Sequence, residues 1–197
     1  MIIKPDNEML SYSGRIDFDD RLAPVLVYAC SSIGMKFTGT SLKAVIANHR
    51  SCWTNELGYF IDGEQKRFTL SSDEEKKTYT LAEGLSEGTH ELLLFKRMDS
   101  CHTFTFYGFE IDDGAKVLPL PEKPKRKMEF FGDSVSCGEV SEAVEYVGKP
   151  DPEHDGEYSN SWYSYAWMTV RKLNAQIHDT SQGGISLLAV SYTHLRA

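Results

Sequence analysis

The sequence lacks the features that mark membrane and secreted proteins. No apolar run approaches the roughly 20 residues that a membrane-spanning helix needs. The first ten residues, "MIIKPDNEML", have neither a sustained apolar segment nor the small-residue cleavage site of a secretion signal. We therefore predict a chain without membrane association, which is cytoplasmic as it stands.

Positive charge and cysteine pairs are also scarce. With 21 basic and 29 acidic residues the net charge is −8, so no general attraction to nucleic acid is expected. The one basic cluster, "KPKRK" at 123–127, is interpreted as a solvated linker. Cys30, Cys52, Cys101 and Cys137 are scattered, without a C-x-x-C pair or zinc-type histidine spacing. We predict mostly buried thiols and no metal site.

Short runs of β-branched and aromatic residues fill the first part of the chain, from residue 11 to about residue 118. They recur about every ten residues and are separated by turns such as "DG" and "EG". This pattern predicts an all-β jelly-roll sandwich over residues 1–120. The predicted strands lie in 23–29, 34–40, 42–48, 57–63, 66–70, 77–82, 90–97 and 102–112.

The composition changes at "LPLPEKPKRK", residues 118–127, where three prolines and four cations cannot continue a central strand. After this boundary "KMEFF" predicts a buried strand. "NSWYSYAWMTVRKLNA" (160–175) predicts one helix capped by Asn160 or Ser161, and "AQIHD" (175–179) predicts a second strand. A strand, a helix and a second strand form a βαβ unit, so we predict that an α/β domain begins at about residue 126.

The sequence "FFGDSVSCG" raises the possibility of a catalytic serine. Ser134 follows the predicted strand 128–131, and the carboxyl end of such a strand is where ligands bind in open α/β sheets. A second glycine turn, "SQGGI" (181–185), follows the next strand, so backbone N–H groups of Gly183 or Gly184 could meet Ser134 around one oxyanion. From these residues alone, catalysis and a purely structural turn both remain open.

Ordered motifs on both sides of this site resemble a known family. "EFFGDSVSCGE" and "HDTSQGGISLL" resemble two sequence blocks of the SGNH (GDSL-type, flavodoxin-like) hydrolases. The upstream stretches "GRIDFDD", "MKFTGTSLKAVI", "YFIDG", "YTLAEGLSEGTHELLLFKR" and "FYGFEIDDGAKVLPLP" resemble the jelly-roll domain of carbohydrate esterase family two. The resemblance covers residues 14 to about 188 in order.

The resemblance implies an esterase that removes O-acetyl groups from plant polysaccharides such as xylan or glucomannan, without a metal or cofactor. Ser134 would be the nucleophile and, with Gly183 or Gly184, an oxyanion donor. Asp133 would orient the turn. The implied partner is an acetylated polysaccharide or oligosaccharide, and the implied hydrolase domain, 126–188, is incomplete. Related enzymes of this kind can be secreted.

Two elements of the family pattern are missing from the sequence: an asparagine block and a histidine base near the end of the hydrolase domain. His49, His90, His102 and His178 are better explained as structural or solvated, and His154 in the loop "PDPEHDGE" is the least implausible substitute. The ending "VSYTHLRA" (190–197) resembles a translated sequencing adapter. We therefore expect a truncated fragment that is nearly inactive alone.

Two further functions stay open. The chain could be a non-catalytic carbohydrate-binding module, in which Ser134 is incidental, or an interaction domain with neither activity. Trp53 is a candidate sugar contact, whereas the aromatic run "WYSYAW" (162–167) is expected to pack in a core.

Overall fold

Twelve strands between residues 2 and 118 form two antiparallel sheets in the computed structural model, which describes residues 1–185. One sheet has the order β3-β4-β11-β6-β9 with β1 beside β11, and the other has the order β12-β5-β10-β7-β8 with β2 beside β5. In chain order the strands are β1 (Ile2–Ile3), β2 (Ser11–Ser13), β3 (Ile16–Asp17), β4 (Val25–Leu26), β5 (Ser32–Thr38), β6 (Leu42–His49), β7 (Glu56–Ile61), β8 (Glu64–Thr69), β9 (Lys77–Ala82), β10 (Thr89–Lys96), β11 (Thr103–Ile111) and β12 (Val117–Leu118).

The core between the sheets follows from the two-residue period of the strands. On β5, Ile33, Met35 and Phe37 are fully buried at alternate positions, because successive side chains of a strand point to opposite faces. The predicted jelly-roll sandwich is confirmed. The strand predicted at 23–29 is confined to β4, since only Val25 and Leu26 join the sheet.

One hairpin turn and one β-bulge, both with positive φ, set the register of the sheets. Asp62 and Gly63, with φ of 53° and 86°, close the β7–β8 hairpin in the conformation that favours Asp-Gly. On β11 a bulge at Gly108, with φ 126°, shifts the alternation, so Phe106 before it and Phe109 after it both enter the core. A Cβ at residue 108 would lie 2.4 Å from the Ile3 carbonyl oxygen, so glycine is required there.

The C-terminal segment has a different architecture. Strands β13 and β14 pair in parallel, with Gly132 opposite Ser181, and the chain between them contains the two short helices. The elements in chain order are β13 (Lys127–Gly132), α1 (Ser134–Cys137), two 3₁₀ turns (Val144–Tyr146 and Ser161–Tyr163), α2 (Tyr165–Lys172) and β14 (Gln176–Ser181). Residues 186–188 of the predicted hydrolase domain and the predicted adapter remnant 190–197 lie outside the described residues.

The prediction of one helix over 160–175 is wrong, because two polar side chains compete with the helical backbone. Asn160 accepts a hydrogen bond from Trp162 N–H at 3.1 Å and caps only the 3₁₀ turn. Ser164 is extended, with ψ 148°, and its Oγ accepts the Trp167 N–H at 3.2 Å. The α-helix therefore begins at Tyr165, as expected for a serine N-cap.

A second apolar cluster joins this segment to the sandwich. Phe95 of β10 is fully buried and meets the Trp167 ring edge-on, with 5.3 Å between ring centroids. Cys30 and Cys137 lie in the same cluster, whereas Cys52 is exposed. The aromatic run 162–167 packs only partly in this cluster: Trp167 is buried, whereas Tyr163 and Tyr165 are about half exposed. No helix within residues 1–185 is long and apolar enough to cross a membrane.

Two consecutive cations at the end of β10 are buried at this junction. The Lys96 ammonium donates to the Met98 carbonyl at 2.6 Å and to the Asp99 carbonyl. The Arg97 guanidinium reaches across to the C-terminal segment, where it donates to the Ser159 carbonyl at 3.0 Å and the Glu142 carboxylate at 2.6 Å. Arg97 thus connects the sandwich to the loop that follows α1.

We expect Arg97→Met to lower the free energy of unfolding by about 3 kcal/mol, because it removes the buried charge partner of the Glu142 carboxylate and the donor to the Ser159 carbonyl, and leaves Glu142 with the Asn160 amide as its hydrogen-bond donor. Arg67→Met is the matched control. Arg67 donates to the Glu56 carboxylate at 3.2 Å and to the Glu157 carbonyl at 2.7 Å, but its side chain is 48% exposed and water can replace either partner, so its loss should cost at most about 1 kcal/mol. Urea unfolding of both variants measures the difference, and equal losses would contradict the prediction.

Candidate active site

Ser134 lies at the carboxyl end of β13, where the chain leaves the strand and turns into α1. The Asp133 carboxylate accepts the Val135 N–H at 3.0 Å and caps this turn. The Ser134 side chain is partly exposed, and its hydroxyl makes no hydrogen bond within residues 1–185. A partly exposed hydroxyl at a strand end is available to a bound ligand.

Both glycines that flank the serine turn are required by close packing. A Cβ at Gly132 would lie 2.0 Å from Ser136 Oγ, which instead packs over the bare backbone and bonds the Tyr165 hydroxyl at 2.9 Å. Gly138 has φ 76°, and a Cβ there would lie 2.7 Å from the Asn160 carbonyl oxygen. The two glycines therefore let α1 sit close to β13 and to the loop before α2.

A second turn with two glycines follows β14 at the same edge of the parallel pair. Gln182 N–H donates to the Gly132 carbonyl at 3.2 Å, and Ile185 N–H closes the turn onto the Gln182 carbonyl at 3.3 Å. Gly132 of β13 pairs with Ser181 of β14. Ser134 and Gly183 therefore each lie two residues beyond a paired position. Adjacent strands are about 4.8 Å apart, so the two turns are neighbours.

The two glycine amides differ in their hydrogen bonding. Gly183 N–H donates to the Asp99 Oδ2 atom at 2.7 Å. Gly184, with φ 75°, has an N–H that makes no hydrogen bond within the described residues. Asp99 lies in the sandwich, 84 residues before Gly183, and no motif in the sequence predicts its part in this site.

Acidic side chains surround this turn. An ideal Cβ on Gly183 would lie 2.9 Å from Asp99 Oδ2 and 3.1 Å from Glu139 Oε2, so both carboxylates approach the same point. Burial, and then the charge of Asp99, raise the pKa of Glu139. Residues 1–185 contain no group of three His, Cys, Asp or Glu side chains arranged for a metal ion. A small crevice of about 10 Å³ beside the turn is lined by Trp53, Met98, Asp99, Cys137, Glu139 and Ser159.

None of the histidines in the described part of the chain bonds Ser134. The His154 ring packs against Trp53, with 4.8 Å between centroids, and its Nδ1 accepts the Gly156 N–H at 3.0 Å. His90 bonds Asp62 at 2.6 Å, and burial lowers the pKa of His102 to about 4. His49 bonds Thr105, and His178 is exposed on β14.

Asp179, which no sequence motif predicts as part of the site, lies fully buried on β14, the strand that leads into the glycine turn. Its carboxylate accepts hydrogen bonds from the Ser181 hydroxyl and, at 3.5 Å, from the Cys30 thiol of the sandwich. Burial raises the pKa of Asp179 to about 6 and, together with the Asp179 charge, raises the pKa of Cys30 well above its ordinary value. A buried carboxyl group thus lies on the strand that leads into the glycine turn.

The N-terminal part of the chain matches a known protein family. The family model described as carbohydrate esterase 2 N-terminal matches residues 12–121. The chain belongs to carbohydrate esterase family 2. It is 33% identical over 183 residues to the cellulase/esterase CelE of Acetivibrio thermocellus and 26% identical over 165 residues to the acetylxylan esterase / glucomannan deacetylase of Cellvibrio japonicus.

Solved family 2 structures agree with the fold. A family two carbohydrate esterase from Clostridium thermocellum, solved in complex with cellohexaose, matches with TM-score 0.78 and 31% identity over 90% of this chain. An acetyl xylan esterase from Butyrivibrio proteoclasticus has TM-score 0.79 at 22% identity, which supports the fold alone. The chain spans 21% and 44% of the lengths of the two curated relatives and 52% of the Clostridium thermocellum structure.

The buried carboxyl group predicts a pH dependence of stability in this family 2 chain. Between the unfolded pKa of 3.8 and the folded pKa of about 6, the folded state holds the Asp179 proton and the unfolded state does not. Raising the pH through this window therefore destabilises the fold, by roughly 3 kcal/mol in total.

Asp179→Asn cannot ionise and should lack this contribution. We expect the unfolding free energy of the wild type relative to Asp179→Asn to fall between pH 4 and pH 6 and then level off, because the pKa is raised to about 6. Urea unfolding at pH 4, 5, 6 and 7 measures the difference. A difference that is constant or rises with pH would refute the assignment.

Proposed function

We propose that residues 126–185 belong to an SGNH-type serine hydrolase domain that follows the jelly roll of residues 1–120, and that Ser134 is its nucleophile. The observation that carries this proposal is the placement of the Ser134 turn and the glycine turn at adjacent ends of two parallel strands in a family 2 chain. This edge of an α/β sheet is where ligands bind.

The reaction proposed is the removal of an O-acetyl group. Ser134 Oγ attacks the acetyl carbonyl carbon and gives its proton to a base, which passes it to the departing sugar oxygen. The acetyl-serine ester is then hydrolysed by water to acetate. The Ser134 N–H and a glycine N–H of the second turn stabilise the oxyanion, and Asp133 holds the serine turn through its bond to Val135.

The proposed substrate is an acetylated plant polysaccharide such as xylan or glucomannan, acted on without a metal or cofactor. The name of the Cellvibrio japonicus relative, acetylxylan esterase / glucomannan deacetylase, supports an acetyl ester, and the cellohexaose complex of the Clostridium thermocellum enzyme supports a β-linked sugar chain. The half-buried Trp53 beside the crevice offers an aromatic face to such a chain.

The base is proposed to come from outside residues 1–185, because no described histidine contacts Ser134 and His154 is held against Trp53. His194 lies outside the described residues, in the ending 190–197 that resembles a translated sequencing adapter, and is not proposed as the base. We therefore expect the 197-residue chain by itself to hydrolyse p-nitrophenyl acetate barely above background. Turnover that Ser134→Ala abolishes in this chain would show that a base is already present.

The decisive variant is Ser134→Ala in the product of the full open reading frame that encodes residues 1–185. Removing the nucleophile should lower release of acetate from acetylated xylan or glucomannan by at least about 10³-fold. Ser136→Ala is the matched control, since Ser136 belongs to the same turn but its hydroxyl bonds Tyr165. This control should stay within about tenfold of wild type, at a stability cost of about 1 kcal/mol.

The same experiment decides the second candidate, a carbohydrate-binding module. The feature that favours it is Trp53 at the crevice, whose ring packs against His154 at an interplanar angle of 54° and which needs no catalytic group to bind a sugar. Cello-oligosaccharide binding by wild type and Ser134→Ala alike, without acetate release by either, would support binding alone and refute the esterase.

A further inference from the structure

The turn that connects β10 to β11 in the sandwich contacts the glycine turn of the C-terminal segment at two places. Asp99 Oδ2 accepts the Gly183 N–H at 2.7 Å, and the Ser100 hydroxyl donates to Gln182 Oε1 at 2.9 Å. Two adjacent residues of one turn thus bind two adjacent residues of the other. A paired contact of this kind restrains both the position and the rotation of the glycine turn.

The Asp99 carboxylate is itself held in place from its own side. Its Oδ1 atom accepts the Cys101 N–H at 3.1 Å, which leaves Oδ2 directed to Gly183. The buried Lys96 ammonium donates to the backbone carbonyls of Met98 and Asp99. The turn is therefore anchored by a fully buried charge, whose hydrogen bonds to its carbonyls are stronger than neutral ones.

The hydrogen bond to Asp99 separates the roles of the two glycine amides. A single N–H that already donates to a carboxylate cannot also donate to an oxyanion, and the two negative charges would repel each other at that position. Gly184 N–H has no acceptor within residues 1–185. Of the two glycines, Gly184 is thus the one whose N–H can donate a hydrogen bond to an oxyanion.

We propose that Asp99 of the jelly roll is a positioning residue for the esterase reaction: it holds Gly183 so that Gly184 N–H serves as the oxyanion donor beside Ser134. The inference rests on the proposed function of Ser134. It also assigns the jelly roll a role in catalysis, because the sandwich supplies the group that orders the oxyanion turn. A bare backbone at 183 fits this role, since a Cβ there would lie 2.9 Å from Asp99 Oδ2.

The contact can be measured in the 197-residue chain, because Gln-Gly and Gly-Gly each occur once in the sequence. Labelling with ¹³C′-Gln and ¹⁵N-Gly selects the Gly183 amide in a carbonyl-correlated NMR spectrum, and ¹³C′-Gly with ¹⁵N-Gly selects Gly184. Asp99→Ala should speed hydrogen exchange at Gly183 by about tenfold or more, as expected for loss of a bond to a charged acceptor. Asp99→Asn keeps an acceptor oxygen and should have a smaller effect.

Asp113→Asn is the matched control, since the Asp113 carboxylate is fully exposed and bonds the N-terminus. It should leave both glycine amides unchanged. Gly183 exchange that is the same in wild type and Asp99→Ala would overturn the proposal.

The catalytic part of the proposal is tested by steady-state acetate release in the product of the full open reading frame. Asp99→Ala should lower kcat by about tenfold while KM changes little, because the oxyanion exists only after attack, and Asp99→Asn should recover part of the loss. Wild-type turnover that persists unchanged in Asp99→Ala would overturn only the positioning role. Absence of any Ser134-dependent turnover in the wild type would instead overturn the proposed function.

Discussion

The burial of two consecutive cations at the end of β10 constrains the junction of the sandwich with the C-terminal segment. A buried charge is tolerated only when its hydrogen bonds are satisfied, and Lys96 and Arg97 are almost completely buried, so the protein itself must supply their partners. Lys96 is satisfied by carbonyls of its own turn, whereas Arg97 requires Ser159 and Glu142 of the C-terminal segment. The loop after α1 must therefore adopt a conformation that presents these acceptors to the sandwich.

That junction brings together groups that lie far apart along the chain. Phe95 fills the apolar contact with Trp167, and Cys30 meets the buried Asp179 of β14. On the other side of Arg97, the turn with Asp99 meets the glycine turn. In this family 2 chain the sandwich therefore borders the candidate site. It is not a separate module joined to the C-terminal segment only by a linker.

Most strands could be predicted from the sequence because their signals are local. Alternation of Ile33, Met35 and Phe37 depends on the geometry of one strand, and Asp62-Gly63 favours one type of hairpin. The helix prediction over 160–175 was wrong because periodicity does not register a competing side chain, and Ser164 caps a later start. Motifs alone predict the site residues Ser134, Asp133, Gly183 and Gly184. In the structure these residues follow the ends of the two parallel strands β13 and β14.

The sequence by itself determined the sandwich, the change of architecture near residue 120 and the two turns that carry the candidate site, since each depends on residues close together in the chain. Only the tertiary structure revealed Asp99, Glu139, Asp179 and Arg97. Their hydrogen bonds and charge contacts mostly join groups tens of residues apart, up to 149 for Cys30 and Asp179. No local pattern encodes such a partner, because it is the packing of the sandwich against β14 that brings the two groups within reach.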